Sequence, residues 1–176
     1  VDNLRHLSEK VSLPEVSAAL LNEAARICEV HLEDPDRAMQ IYEDVMEQDA
    51  DNLQCITALN RLYCKKKLFR PLIKILTRRA ARTAGRKKAR ILYSVARIHH
   101  ERLSEINEAI DTLEEAHQAD PESSLIIGEL VRLCQLVGQY EKLSQYYDKQ
   151  IKLSGDKKES AAICLRLGQL YEENLR

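Results

Sequence analysis

Between Ile91 and Pro121 the apolar positions fall into two stripes of helical period. Ile91, Leu92, Val95, Ala96, Ile98 and His99 trace the first stripe, and Ala96 is small enough for a second helix to lie close across it. Ile106, Ala109, Ile110, Leu113 and Ala116 trace the second, with Glu108, Asp111, Glu114 and Glu115 on the opposite side. Asp120-Pro121 closes the pair, because a proline disfavours the helical conformation in the residue before it. Two such helices cannot bury both of their apolar faces alone. They need neighbours stacked on either side.

Looser copies of the same pattern fill the rest of the chain. The pattern predicts a short helix over 1–10 with Leu4 and Leu7 inward, then helices over 14–32 and 35–48. Pro14 falls in an opening turn, where a missing N–H costs nothing, and Asp34 is placed to cap the next helix. Helices over 53–67 and 69–84 follow, with Pro71 in the opening turn of the latter and Gly85 as its stop. Beyond the central pair come 123–137 (or from Ser124), 140–153 and an unpaired helix over 157–175, punctuated by Gly138 and Gly155. Ala25 recurs as Ala96, Ala38 as Ala109, Leu59 as Leu130 and Leu72 as Leu143, all at one and the same offset. That shared offset defines a double unit. One repeat is of about 34 residues, and the other is lengthened through its HLEDPDRA or RLSEINEA turn.

These residues resemble the tetratricopeptide repeat, a helix–turn–helix unit of about 34 residues. Its bulky–small pair, the aromatic one turn later, the small residue and aromatic of the second helix and the closing proline correspond to Val95-Ala96, His99, Ala109, Leu113 and Pro121. An earlier copy offers Ala24-Ala25, Cys28, Ala38, Tyr42 and Val45, followed by Asp49-Ala50-Asp51-Asn52. Leu59-Asn60, Tyr63, Phe69, Leu72 and Leu76 form the next. Leu130-Val131, Cys134, Gly138, Tyr140, Leu143 and Tyr147 form a later one, and Leu167-Gly168 with Tyr171 opens another. The chain departs from the family in having no Trp and one closing proline. The resemblance implies an all-α, right-handed superhelical solenoid. It would be a single array: a half unit over 1–12, repeats over 14–52, 53–85, 86–122 and 123–156, and an unpaired first helix over 157–176. On that reading the chain is part of a longer protein. Ala58-Leu59 with Leu62-Tyr63, and Asp34-Pro35 with Ala38, resemble long, charge-rich bacterial scaffold arrays.

Composition narrows the picture. No apolar run approaches the roughly 20 residues needed to span a bilayer, so no membrane partner is expected. Five cysteines, an odd number without a CxxC, argue against a disulfide framework and for a reducing, cytoplasmic setting. Cys28 and Cys134 occupy the aromatic position of the first helix and read as core residues.

Charge changes it more. Between Asn52 and His100 there are 14 Lys or Arg and no acidic residue, while the remainder carries 13 basic and 28 acidic residues, a formal −15. Within this block Arg70, Lys74, Arg78, Arg82 and Arg86 recur every four residues. The resemblance places them on the outer, convex side. Like charges at that spacing destabilise an isolated helix by about 0.2–0.5 kcal/mol per pair, so an anion should offset them. It is either internal, from Glu43, Asp44, Glu47 and Asp49 before and Glu108, Asp111, Glu114 and Glu115 after, or an external acidic protein surface or nucleic acid. Nucleic acid, docking over 61–90, is the weaker external partner: Tyr63, Phe69 and Tyr93 all fit the repeat core, leaving no platform for bases.

A second set follows the bulky–small pairs. Arg26, Arg61, Arg97 and Arg132 each come one residue after such a pair, a position that the resemblance turns into the concave, peptide-binding groove. Arg90 and Lys65 extend that surface. Guanidinium groups there suit carboxylates, or they bridge to Glu within the array. The family's clamp for chaperone tails is not formed, since Arg26 and Ala58 hold its Asn sites and Asn22 and Ser94 two of its basic ones. His99-His100 point about 100° apart on a helix and cannot share a metal. No phosphate loop, GxSxG or HExxH occurs. The expected function is non-catalytic protein–protein interaction, as a scaffold or adaptor binding a peptide or acidic surface in the groove, with no metal or cofactor. A regulatory array for an enzyme outside this sequence, and self-association through exposed ends, stay open.

Overall fold

A computed structural model of the chain describes residues 1–10, 14–49 and 51–174. The end of the leading half unit, Ala50, and Leu175 with Arg176 of the last helix lie outside the described residues. The described chain is all α, without a strand. It forms two compact units, Val1–Arg79 and Ala80–Arg176.

In the first unit α1 spans Asp2–Lys10, α2 Pro14–Val30, α3 Pro35–Gln48 and α4 Leu53–Lys66. The unit boundary falls within α5, Phe69–Ala81. The second unit continues with α6 (Gly85–Ile98), a π-helical turn (His99–Leu103), α7 (Ile106–Ala119), α8 (Ser124–Val137), α9 (Tyr140–Leu153) and α10 (Lys157–Asn174). In the repeat frame expected from the sequence, α2, α4, α6, α8 and α10 are first helices.

Local chemistry sets the ends. The Asp34 carboxylate accepts from the Arg37 N–H at 3.0 Å and Pro35 opens α3, while Asn52 accepts from the Cys55 N–H at 3.2 Å at the start of α4. Asp120 ends α7 ahead of Pro121. Two expectations are corrected. Helix α5 stops at Ala81, where the Thr83 N–H and hydroxyl both reach the Ala80 carbonyl at 3.1 Å. Gly85, at φ +57°, therefore begins the next helix rather than ending this one. Leu7 is 49% exposed while Ser8 is buried. Ion pairs from Arg5 to Asp44 and from Arg37 to Asp2 accompany that orientation of α1 on α3.

The two-repeat frame is visible in the backbone. All eight register residues, Ala25 and Ala96 through Leu72 and Leu143, are at most 2% exposed. Burying each of the four leucines contributes about 1.5–3 kcal/mol. Glu33 and its counterpart Ser104 both take the left-handed conformation, at φ +51° and +57°. The next N–H in each copy, of Asp34 and Glu105, reaches back to the Cys28 and His99 carbonyls at 2.9 Å. Lys67 and Gly138 form a second left-handed pair, with Leu68 bonded to Tyr63 at 2.8 Å and Gln139 to Cys134 at 2.9 Å. The longer repeat takes up its extra length at the end of its first helix. Leu32 bonds back five residues to Ile27 in one copy, and the π turn does the same work in the other. No described helix is long and apolar enough to cross a membrane.

Candidate functional site

In the first unit, α2 and α4 present Arg26, Arg61 and Lys65 as exposed side chains. Arg26 grips Glu23, one turn earlier, through Nε at 2.9 Å and Nη2 at 2.6 Å, and the guanidinium holds the Glu23 carboxyl below its usual range. Arg61 reaches from α4 to Glu29 on α2, with Nη2 at 2.7 Å from the carboxylate. Two neutral ties join the same helices: Asn22 donates to Gln54 at 3.3 Å, and the Cys55 thiol donates to Asn22 at 2.8 Å. Burial, then the charge of Asp49, pushes the Cys55 thiol up to about 12. Lys65 has no acidic partner among the described residues.

In the second unit, Arg97 grips Glu101 of the π turn through Nε at 2.8 Å and Nη2 at 3.0 Å. Arg132 on α8 grips Glu129 through the same two nitrogens, at 2.9 and 2.7 Å, and its Nη2 lies 3.4 Å from His100 Nδ1. Burial first, then the Glu129 charge, raises the pKa of the neighbouring Tyr93 phenol. Arg90 is exposed and without an acidic partner among the described residues. It lines an open hollow of about 590 Å³ with Tyr93, Ser94 and Leu125. All four arginines that follow a bulky–small pair thus carry a carboxylate from their own unit. Lys65 and Arg90 do not.

The cations spaced by four are treated differently. Lys74 and Arg78 on α5, and Arg82 just after it, are exposed and have no acidic partner among the described residues. Arg70 is also exposed, and Arg86 lies 4.0 Å from Asp120. Of the acidic residues expected to offset the block, Glu115 pairs with Lys88 at 2.6 Å, whereas Asp44 pairs with Arg5 and Glu114 with Lys142. Asp36 and Asp51, outside that set, pair with Lys66 and lie 3.9 Å from Arg79, respectively. Internal neutralisation therefore reaches the cations beside this row and leaves its middle bare.

His99 is nearly buried and joins Nδ1 to Glu105 at 2.8 Å. No group of three His, Cys, Asp or Glu side chains is placed for a metal among the described residues. A feature not singled out from the sequence is a cleft of about 850 Å³ between α8 and α10. Arg166 and Gly128 belong to it. Arg166 falls one repeat length after Arg132, and that spacing was its one sequence signal.

No family model matches the chain, and no curated protein matches it by sequence. Solved structures do match in fold. The crystal structure of MamA superposes with a TM-score of 0.51 at 21% identity, over 80% of this chain and 78% of that one. PilF of Pseudomonas aeruginosa gives 0.52 at 15% identity, over 96% and 79%. YrrB, described as a TPR protein with an unusual peptide-binding site, gives 0.51 at 12% identity, over 88% and 76%. The paired helices, the buried small-residue register and these superpositions agree: the chain has the tetratricopeptide-repeat, helical-solenoid fold.

Proposed function

We propose that the chain is a non-catalytic protein-interaction scaffold whose first-helix faces bind an acidic peptide segment of a partner. The observation that carries this reading is the donor arithmetic of the arginines. Arg26, Arg97 and Arg132 each spend Nε and Nη2 on an internal carboxylate. A guanidinium has five N–H donors, so the end-on edge of Arg26 and of Arg97 stays open to a second carboxylate, while Arg132 keeps its Nη1 donors beside the Nη2 contact with His100. The internal Glu fixes the rotamer in advance, which lowers the ordering cost of binding. Arg90 and Lys65, without acidic partners, add uncompensated charge on the same faces. A structural neighbour described as peptide-binding supports the reading by analogy of fold.

The test is the combined Arg26→Gln, Arg97→Gln and Arg132→Gln variant, with helicity checked by circular dichroism. Peptides selected on the wild-type protein from a random display library should be rich in Asp and Glu and bind the variant at least tenfold more weakly. Unchanged affinity would overturn the groove reading.

A second contact surface is favoured by the bare pair Lys74 and Arg78 on α5. An acidic protein surface fits it, because the interleaved aromatics needed for base stacking are missing beside that pair. Charge reversal to Glu at both positions should abolish binding there without altering peptide selection on the first-helix faces.

A further inference from the structure

Three steps from one first helix to the next lie inside a single unit: α2 to α4, α6 to α8, and α8 to α10. The first is tied by Arg61 to Glu29, Asn22 to Gln54 and Cys55 to Asn22. The second is bridged from α8 to the π turn that follows α6, with Arg132 Nη2 3.4 Å from His100. At the third step no hydrogen bond or ion pair among the lining residues joins the two helices, and the cleft of about 850 Å³ opens between them. That volume falls in the range of roughly 300–1,000 Å³ common for ligand sites.

The cleft has an amphipathic lining. Its apolar side is Val131, Leu143, Tyr147 and Leu170, the last three buried. Gln135, Gln150 and Gln169 add amide groups that form no side-chain hydrogen bond among the described residues. Such amides match a peptide backbone, offering both a donor and an acceptor. Gly128 contributes bare backbone, and a Cβ placed there would meet its nearest atom, Gln150 Nε2, at 3.9 Å. Arg166 is exposed without an acidic partner among the described residues, whereas Arg132 is already held by Glu129. Glu173 lies two helical turns beyond Arg166, about 10 Å along α10, so the cleft is positive near Arg166 and negative further on.

We propose that this cleft takes an extended peptide segment of a partner, with one apolar side chain against Leu143, Tyr147 and Leu170 and an adjacent carboxylate at Arg166. The peptide-binding reading given above underlies this proposal and is sharpened by it. Glu173 repels a second acidic residue at the far end, which gives the bound segment a direction.

The experiment is a heptapeptide display selection on the chain, followed by fluorescence titration of the enriched peptides. The expected result is an apolar residue next to Asp or Glu in the enriched sequences. Gly128→Trp, which fills the cleft and replaces glycine within a helix by a better helix former, should lower affinity at least tenfold with unchanged helicity. Arg166→Gln should lower it severalfold, and more for the acidic peptides than for their Asn analogues. Enriched peptides that bind Gly128→Trp as tightly as wild type overturn the cleft proposal. If those peptides fail on the Arg26, Arg97 and Arg132 triple variant, the broader groove reading stands without it. An absence of any enriched peptide sinks both.

Discussion

Arg61 in the first copy of the frame reaches back to Glu29 on the preceding first helix. Its counterpart one double unit on, Arg132, meets His100 at the equivalent place and turns to Glu129 for a carboxylate. Tyr63 donates to Glu43 in the first copy, while Cys134 stands in the Tyr63 position of the second. There Glu114 is taken by Tyr146 at 3.0 Å and Lys142 at 2.7 Å, both from α9. The backbone devices, by contrast, coincide: two left-handed residues, two long reach-back hydrogen bonds and eight buried register residues at equal offsets. The frame is held by small and apolar residues, and the polar ties are interchangeable. Binding specificity therefore has to be read from each copy separately.

The largest effect should come from the shared part. Leu59→Ala and Leu130→Ala remove fully buried side chains at matching places and should each cost about 2–5 kcal/mol. Urea unfolding of the two variants measures this. A difference larger than that spread would show that one copy packs on a different principle.

The left-handed pair gives the next contrast. Gly138 has φ +71°, and an added Cβ would meet the Tyr140 ring at an ordinary 3.6 Å. The cost of Gly138→Ala is therefore conformational, about 1–2 kcal/mol. Lys67 already bears that cost at φ +57°, so Lys67→Gly should stabilise the chain by a comparable or smaller amount. Opposite signs in thermal melts confirm the pairing; equal signs break it.

Alkaline pH separates the copies by chemistry. Burial pushes the Cys55 thiol up to about 12 and the Cys134 thiol up to about 11, and it raises the Tyr63 and Tyr146 phenols, helped by Glu43 and Glu114. These groups stay protonated in the folded chain after the unfolded chain has lost its thiol protons near pH 8.5 and its phenol protons near 10. Above those values the folded state binds more protons, so stability falls as pH rises. Urea midpoints from pH 7 to 11 should decline accordingly. A thiol reagent at neutral pH should label the exposed Cys64 and Cys164 and spare Cys28, Cys55 and Cys134. Labelling of Cys134 in the native chain would contradict the buried register of the second copy.

Much of the frame was legible because it rests on residues whose meaning is local. Asp34-Pro35 and Gly138 fixed α3 over Pro35–Gln48 and α9 over Tyr140–Leu153 to the residue. The misreadings have a common cause. Glycine at φ +57° can open a helix as well as close one, so Gly85 was ambiguous without its neighbours. Lys67 gives no sequence sign of its left-handed backbone. Leu7 looked inward because helical period alone cannot tell which face of so short a helix as α1 meets its neighbours. At the candidate site, Glu23, Glu101 and Glu129 stand three or four residues from their arginines, a spacing readable in advance. Glu29, far from Arg61 along the chain, becomes its partner only once α2 and α4 are side by side. The cleft at Gly128 was hidden for the same reason, since its lining comes together only once α8, α9 and α10 are side by side.

The smallest prediction returns to that cross-helix pair. Glu29→His gives the first copy the polar tie of the second and removes the acidic partner of Arg61 seen in the structure. An ion pair with one partner largely exposed is worth about 0.2–1 kcal/mol; the Glu29 side chain is 13% exposed, which points to the upper part of that range. The reverse change, His100→Glu, should alter stability less, because Arg132 already holds Glu129 and gains a second acid beside Glu101. High salt should shrink the Glu29→His loss by screening the attraction. Urea unfolding at low and high salt decides the point. Equal, salt-independent losses would mean that the two sites are equivalent after all, and that the arginines act there through packing of their methylenes rather than through their charge.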